Sequence, residues 1–245
     1  MLLDAHCHVD RFPNPESIAA ACERQRVTTV AVTNLPSHFK VGNQHVGGLQ
    51  YVKLALGFHP LAVGKQHGEL EEFLRLLPVA AFVGEIGLDY SKEGASTKRE
   101  QLATFRAIAE ALMGTQKFVT IHSRGAEDAV LDVLAEFQIQ NPVLHWYSGT
   151  LAVLERAVEQ GCFFSLNPAM IRSKKGQGII ARIPRARILT ETDGPYVKIG
   201  SRSAEPSDVR GVVEFLAREW NVPLSEAIGQ VFENFRIIVG EATQG

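Results

Sequence analysis

Near its start the chain reads "DAHCHVD", placing two imidazoles, His6 and His8, two positions apart between carboxylates. On a strand, residues i and i+2 project from the same face. Such a pair can hold a divalent cation or merely decorate a strand end, and alone it does not choose. Further donors follow: His59 in "GFHP", Glu85 in "VGEIGLDY", His122 in "VTIHSR", His145 in "VLHWYSG" and Asp193 in "LTETDGPY". Mixed imidazole and carboxylate donors suit Zn²⁺, Mn²⁺ or Mg²⁺ without selecting among them. His6, His8, Glu85, His122, His145 and Asp193 are more than one tetrahedral ion needs. They suit two divalent ions bridged by a carboxylate, an arrangement that generates hydroxide from water near neutral pH. Glu85 is the bridging candidate and Asp193 a candidate acceptor of the water's proton.

These donors become meaningful only if the fold gathers them. Eight short apolar, β-branched runs are expected as strands: Leu2–His6, Val27–Thr33, Val52–Gly57, Ala80–Glu85, Lys117–His122, Pro142–His145, Cys162–Leu166 and Arg187–Glu191. Between them lie segments with helical spacing. Thr97–Met113 puts Leu102, Phe105, Ile108, Ala109 and Leu112 on one stripe, and Ala126–Phe137, Thr150–Gln160, Pro206–Trp220 and Leu224–Val239 read likewise. Asn34–Tyr51, rich in Gly, His and Gln, reads as a loop or short helix. Eight strand–helix units predict an α/β fold with a single (βα)8 TIM-type barrel over residues 1–245, a doubly wound open sheet being the alternative. In a barrel the C-terminal strand ends share one rim, and every donor named above sits at such an end. Any one of them alone would read as a satisfied buried residue. Six at the same rim favour a metal centre.

Composition narrows the rest. Hydrophobic residues make up 45% of 245, enough for a large core. No run of about 18 apolar residues and no secretory pattern is visible, so a cytoplasmic protein without membrane attachment is expected. Three cysteines without a CxxC offer neither a disulfide framework nor a thiolate zinc site. Cys7, between the two first histidines, is turned away by strand alternation and reads as core. Net charge is −2, yet Ile171–Ser203 carries eight basic residues against two acidic ones, a local +6 that leaves −8 elsewhere. Lys174, Lys175, Lys198 and Arg202 of that stretch, with Arg172, follow strands 7 and 8 and so share the rim. A patch of that size suits a short stretch of phosphates. Ser123 and Ser148 lack a GxSxG setting, and no P-loop or dinucleotide fingerprint occurs.

The ordered set HxH, GxHP, GEIGLD, IHSR, HxxSG and ETDxPY resembles the TatD family of metal-dependent deoxyribonucleases, from Asp4 to about Asn234. That resemblance implies that His6, His8, Glu85, His122, His145 and Asp193 are the metal ligands. It makes His59 an active-site histidine acting at the scissile phosphate, and DNA, at its ends or as single strands, the substrate. Arg124 is then placed to clamp a phosphate, and Trp146 and Tyr147 to stack on splayed bases. Helix-start solvation for Arg124 and core packing for the two aromatics are the competing readings. The chain departs from the family where Trp146 and Tyr147 follow the strand-6 histidine, where "GSRSAEP" replaces a Gly-Lys-Arg-Asn-Glu-Pro run, and at "NPAM". These features resemble the TatD-like component of Qat antiphage defence systems, which implies an ATPase and a QueC-like protein as partners. An amidohydrolase acting on amides or esters is the rival enzyme, although its bridging carboxylated lysine is here Glu85. A binding subunit of a larger assembly is the non-enzymatic rival.

Overall fold

The computed structural model describes residues 1–66 and 68–240; residue 67 and residues 241–245, which the single-domain reading also spans, lie outside the described residues. Eight parallel strands follow one another in chain order around a nearly closed barrel: β1 (Leu2–Cys7), β2 (Val27–Val32), β3 (Val52–Leu56), β4 (Phe82–Gly87), β5 (Phe118–His122), β6 (Val143–His145), β7 (Phe163–Leu166) and β8 (Ile188–Thr190). Each lies within two residues of its expected bounds. Helices cover the outside: α1 (Pro15–Gln25), α2 (Pro36–Val46), α3 (Glu69–Leu76), α4 (Lys98–Leu112), α5 (Glu127–Glu136), α6 (Leu151–Glu159), α7 (Pro168–Arg172), α8 (Lys174–Ile180), α9 (Val209–Trp220) and α10 (Leu224–Val239). The strands are buried on both faces, β2 at every position, as expected of parallel strands sandwiched between side chains inside and helices outside. The stripe expected on α4 packs inward through Phe105, Ile108, Ala109 and Leu112.

The ambiguous Asn34–Tyr51 segment resolves as an eleven-residue helix, α2. Pro36 pre-sets its first turn and buried Phe39 anchors it, which outweighs the helix-weakening Gly42. After β8 a small antiparallel ladder, β9 (Lys198–Ile199) with β10 (Arg202–Ser203), was not legible from periodicity because its strands have only two residues each.

The two ends of the barrel differ in a way that positions the site. Phe82 and Phe118, at the starts of β4 and β5, pack against Phe235 of α10, with ring centroids 5.6 Å apart for Phe82–Phe118 and for Phe118–Phe235. Asn234 donates from Nδ2 to the carbonyls of Arg185 and Ile188 at 2.7 and 2.8 Å. Helix α10 therefore plugs the N-terminal end of the barrel, and the donors stand at the opposite, C-terminal rim.

Between β8 and β1 the ladder gives way to isolated side-chain and backbone bonds. Thr190 Oγ1 donates to the Leu3 carbonyl at 2.5 Å, and Asp193 N–H to the His6 carbonyl at 2.9 Å. Buried Asp4 completes the seam: Oδ1 accepts from Thr192 N–H at 2.9 Å and His6 N–H at 3.2 Å, and Oδ2 accepts from Thr192 Oγ1 at 2.5 Å. Burial holds this carboxyl well above its ordinary pKa in spite of those three bonds.

Candidate metal centre

Six donors expected on five strands converge at the rim. His6 and His8 lie at the end of β1 with ring centroids 5.2 Å apart, while Cys7 between them points outward, its Sγ 3.6 Å from the Gly194 carbonyl. Glu85 lies within β4, His122 and His145 end β5 and β6, and Asp193 follows β8. Gly87 is required beside Glu85: with φ of +131°, an added Cβ would stand 2.1 Å from the His122 carbonyl oxygen, so only glycine lets β4 meet β5 here. Asp193 itself has φ of +49°, in the left-handed region that Asp tolerates better than most residues. Its carbonyl accepts from Tyr196 and Val197 N–H, which holds the turn.

The carboxylate of Glu85 sits at the middle and divides its neighbours. Its Oε2 is 3.2 Å from His8 Nε2, 3.5 Å from His59 Nε2 and 3.9 Å from His6 Nε2. Its Oε1 is 2.6 Å from His122 Nδ1 and 2.9 Å from His145 Nε2. Asp193 Oδ1 joins the first group, 3.6 Å from His8 Nε2 and 4.0 Å from His6 Nε2. Donors bound about 2.1 Å from one ion at a tetrahedral angle lie roughly 3.4 Å apart, so the spacings around Oε2 and Asp193 suit a cation, while those on Oε1 are hydrogen-bond distances. His6 Nε2 supplies an independent sign: it is buried, has no hydrogen-bond partner, and faces Glu85 and Asp193. A hydrogen-bonding atom left so costs about 1–3 kcal/mol unless something binds it. Among the described residues, three groups able to grip an ion are His6/His8/Asp193, His6/Glu85/His145 and His59/Glu85/His122.

The electrostatics are those of an acid surrounded by imidazoles. Burial alone would raise Glu85, but His59, His145 and His122 around it hold its pKa well below the usual carboxylate range. Conversely, burial would lower His8, His122 and His145, and contact with Glu85 raises all three. His6 stays low because burial dominates, and burial likewise brings His59 to about 4. Burial pushes Asp193 up to about 7 against the pull of His145 and His8.

The chain matches the family model described as TatD related DNase over residues 3–240. The chain belongs to that family. It is thereby a hydrolase acting on ester bonds. Similar full-length proteins include the human deoxyribonuclease TATDN3, 25% identical with 95% of this chain and 92% of that protein covered. Another is an uncharacterized metal-dependent hydrolase of Methanocaldococcus jannaschii, 24% identical with 95% and 94% covered. Among solved structures, the TatD homologue YjjV of Escherichia coli superposes with a TM-score of 0.85 at 24% identity, with 97% of each chain covered. Dihydroorotase of Campylobacter jejuni superposes with a TM-score of 0.67 at 10% identity, covering 97% of this chain and 82% of that one, a likeness of fold.

Around this TatD-type centre the expected rim residues divide. Trp146 is 37% exposed, with a strained φ of +38° that its N–H partly offsets by donating to Glu191 Oε1 at 3.1 Å. Tyr147 corrects the expectation of a base platform: it is 1% exposed, packs edge-on against Phe164, and donates its hydroxyl to the Thr150 carbonyl at 2.7 Å. Core packing claims its ring, because the left-handed turn at Trp146 leaves that side chain at the surface and the next one inside. Arg124 extends into solvent 4.0 Å from Glu93. Lys174 is exposed at the start of α8, and Lys175 Nζ donates to the Ser148 carbonyl at 2.6 Å. Lys198 Nζ donates to Ser203 Oγ at 2.8 Å. Arg202 forms a two-pronged pair with Asp208 at 2.6 and 2.7 Å, so its charge is already answered within the chain.

Four residues of the centre were not singled out by the sequence reading. Thr120 Oγ1 lies 2.9 Å from His6 Nδ1, Asp89 Oδ2 lies 2.8 Å from His122 Nε2, and Glu191 Oε1 lies 3.7 Å from His145 Nδ1. Glu191 is itself held by Ser165 Oγ and by Asn167 Nδ2. With Asp4 these make four, and three of them share a signal: Asp4, Thr120 and Glu191 each precede a donor by two positions, where strand alternation gives the same face, whereas Asp89 lies in the loop after β4.

Proposed function

We propose that this chain is a metal-dependent phosphodiesterase that hydrolyses DNA, from an end or on single strands, with His6, His8, Glu85, His122, His145 and Asp193 holding two divalent ions (Mg²⁺, Mn²⁺ or Zn²⁺). One observation carries the two-ion reading: the oxygens of Glu85 face different donor sets, Oε2 towards His6 and His8 and Oε1 towards His122 and His145. Family membership and the name of the human relative support DNA as substrate. Bound divalent ions would supply water activation at neutral pH and charge stabilisation at phosphorus.

The chain's own groups do the rest. Asp193, whose Oδ1 stands 3.6 Å from His8 Nε2 and 4.0 Å from His6 Nε2 at the centre, is the carboxylate placed to take a proton from the attacking water. His59, at about 4, is a neutral imidazole at pH 7; its Nδ1 is tied up by Leu61 N–H at 3.1 Å, so Nε2–H is the group that donates to a phosphate or leaving oxygen. Arg124, Lys174, Lys175 and Lys198 line the approach for the backbone, and Trp146 offers a face for one base. Arg202 serves by shaping the β9–β10 turn. We read residues 1–245 as one domain of a cytoplasmic protein. The Trp146–Tyr147 pair, "NPAM" and "GSRSAEP" support a role in an antiphage assembly with an ATPase and a QueC-like protein.

Elemental analysis of the purified protein, coupled to cleavage of single- and double-stranded oligonucleotides with free or blocked ends, tests this reading. Two ions per chain and cleavage abolished by end blocks are expected. Full activity at one ion per chain would remove the bridging role of Glu85. Cutting that ignores a terminal block would remove the end preference, and turnover confined to a panel of amides and esters would replace the nuclease with the deacylase. Co-purification with the two partners tests the assembly.

A further inference from the structure

The loop from β4 to α4 is braced by polar groups buried as deeply as the centre itself. Gln101, on α4, accepts from Asp89 N–H through Oε1 at 2.8 Å and donates through Nε2 to the Gly94 carbonyl at 3.1 Å and Thr97 Oγ1 at 3.0 Å. Asp89 is 1% exposed; its Oδ1 accepts from Ser91 N–H at 2.9 Å, which leaves Oδ2 aimed at His122 Nε2, 2.8 Å away. The opposite ring nitrogen, Nδ1, faces Glu85 Oε1 at 2.6 Å and His145 Nε2 at 3.3 Å. A neutral imidazole donates from one nitrogen and accepts at the other, and an ionised carboxylate only accepts. With Nε2–H held by Asp89, it is Nδ1 that faces the centre, where a cation would replace the proton it shares with Glu85 Oε1.

We propose that Asp89 is the positioning residue of the centre, fixing the orientation and tautomer of His122 so that Nδ1, and not Nε2, is offered to a divalent cation. The proposal rests on the reading of His122 as a ligand. It differs from a plain structural role because the Gln101 brace uses the backbone N–H of Asp89, which survives any substitution of the side chain. Without the carboxylate the ring is free to turn over or to carry its proton on Nδ1, and either change withdraws the lone pair from the ion. Carboxylates that back a histidine ligand in this way change metal affinity about 10–100-fold.

The test measures Zn²⁺ affinity by chelator competition in wild type, Asp89→Asn, Asp89→Ala and His122→Ala, beside ¹⁵N spectra of the histidine rings in Zn²⁺-loaded wild type. Expected are coordination of His122 through Nδ1 with the proton on Nε2, and a 10–100-fold weaker affinity in Asp89→Ala. Coordination through Nε2, or an Asp89→Ala affinity within about twofold of wild type, overturns the proposal. Should Asp89→Ala not fold, the wild-type spectrum decides alone. Wild-type affinity in His122→Ala would instead remove the ligand reading underneath, a result distinct from weak binding in His122→Ala with normal binding in Asp89→Ala.

Discussion

His6 Nε2 and Asp193 Oδ1 come from opposite ends of the chain and stand 4.0 Å apart, too far for a hydrogen bond and close enough to share an ion. The Asp193 N–H bond to the His6 carbonyl and the Asp4 clamp on Thr192 hold them there. The seam that closes the barrel is thus also what brings the first and last donors together.

That seam gives a stability prediction. Asp4→Ala would leave Thr192 N–H, Thr192 Oγ1 and His6 N–H without their buried acceptor. A loss of roughly 2–4 kcal/mol in unfolding free energy is expected, by denaturant titration of the metal-free protein. Asp4→Asn, which keeps one acceptor oxygen, should lose less. Equal stability of wild type and Asp4→Ala would show that the barrel closes without the Asp4 clamp.

Removal of the central carboxylate should be the most damaging change to activity. In Glu85→Ala both donor sets lose their shared partner, and metal-dependent cleavage is expected to fall by at least about 10²–10³-fold. Metal content should fall with it. Robust nuclease turnover in this variant would speak against a dinuclear site.

Metal uptake should depend on pH with a definite sign. Asp193 at about 7, and His8, His122 and His145 held above their ordinary value, carry protons in the metal-free protein that a cation must displace. Affinity therefore rises as pH rises, at about tenfold per unit for each proton displaced, until these groups are deprotonated. Isothermal titration in buffers of different ionisation enthalpy would count the protons released. An affinity flat between pH 5 and pH 7 would contradict the electrostatics described for the centre.

Adjacent aromatics should behave in opposite ways. Trp146→Ala is expected to weaken single-stranded DNA binding by about 1–3 kcal/mol while barely changing stability. Tyr147→Ala, which empties a buried site, should destabilise by about 3–5 kcal/mol. Fluorescence anisotropy in a Glu85→Ala background, paired with thermal melts, separates the two. Unchanged DNA affinity in Trp146→Ala would remove it from the binding surface.

Local information carried far in this chain. Eight strands were legible because parallel strands buried on both faces read as uninterrupted apolar runs, and α4 because its stripe repeats with the helix turn. The donors His6, His8, Glu85, His122, His145 and Asp193 were legible because all stand at or just beyond strand ends that a barrel must bring to one rim. The two-residue strands β9 and β10 carry too few residues for any period to show.

What the sequence by itself determined is therefore which side chains reach the rim: alternation sets the face, and position along the strand sets the end. What only the tertiary structure decided is what each one meets there. Glu85 Oε1 facing His122 and Oε2 facing His8, Asp89 behind His122, and Tyr147 in the core beside exposed Trp146 are all relations between elements distant in sequence or reversed by a backbone turn. They depend on strand register, the seam from β8 to β1 and the course of each loop, and no local pattern records those, because distances of a few ångströms are set only once the barrel has closed.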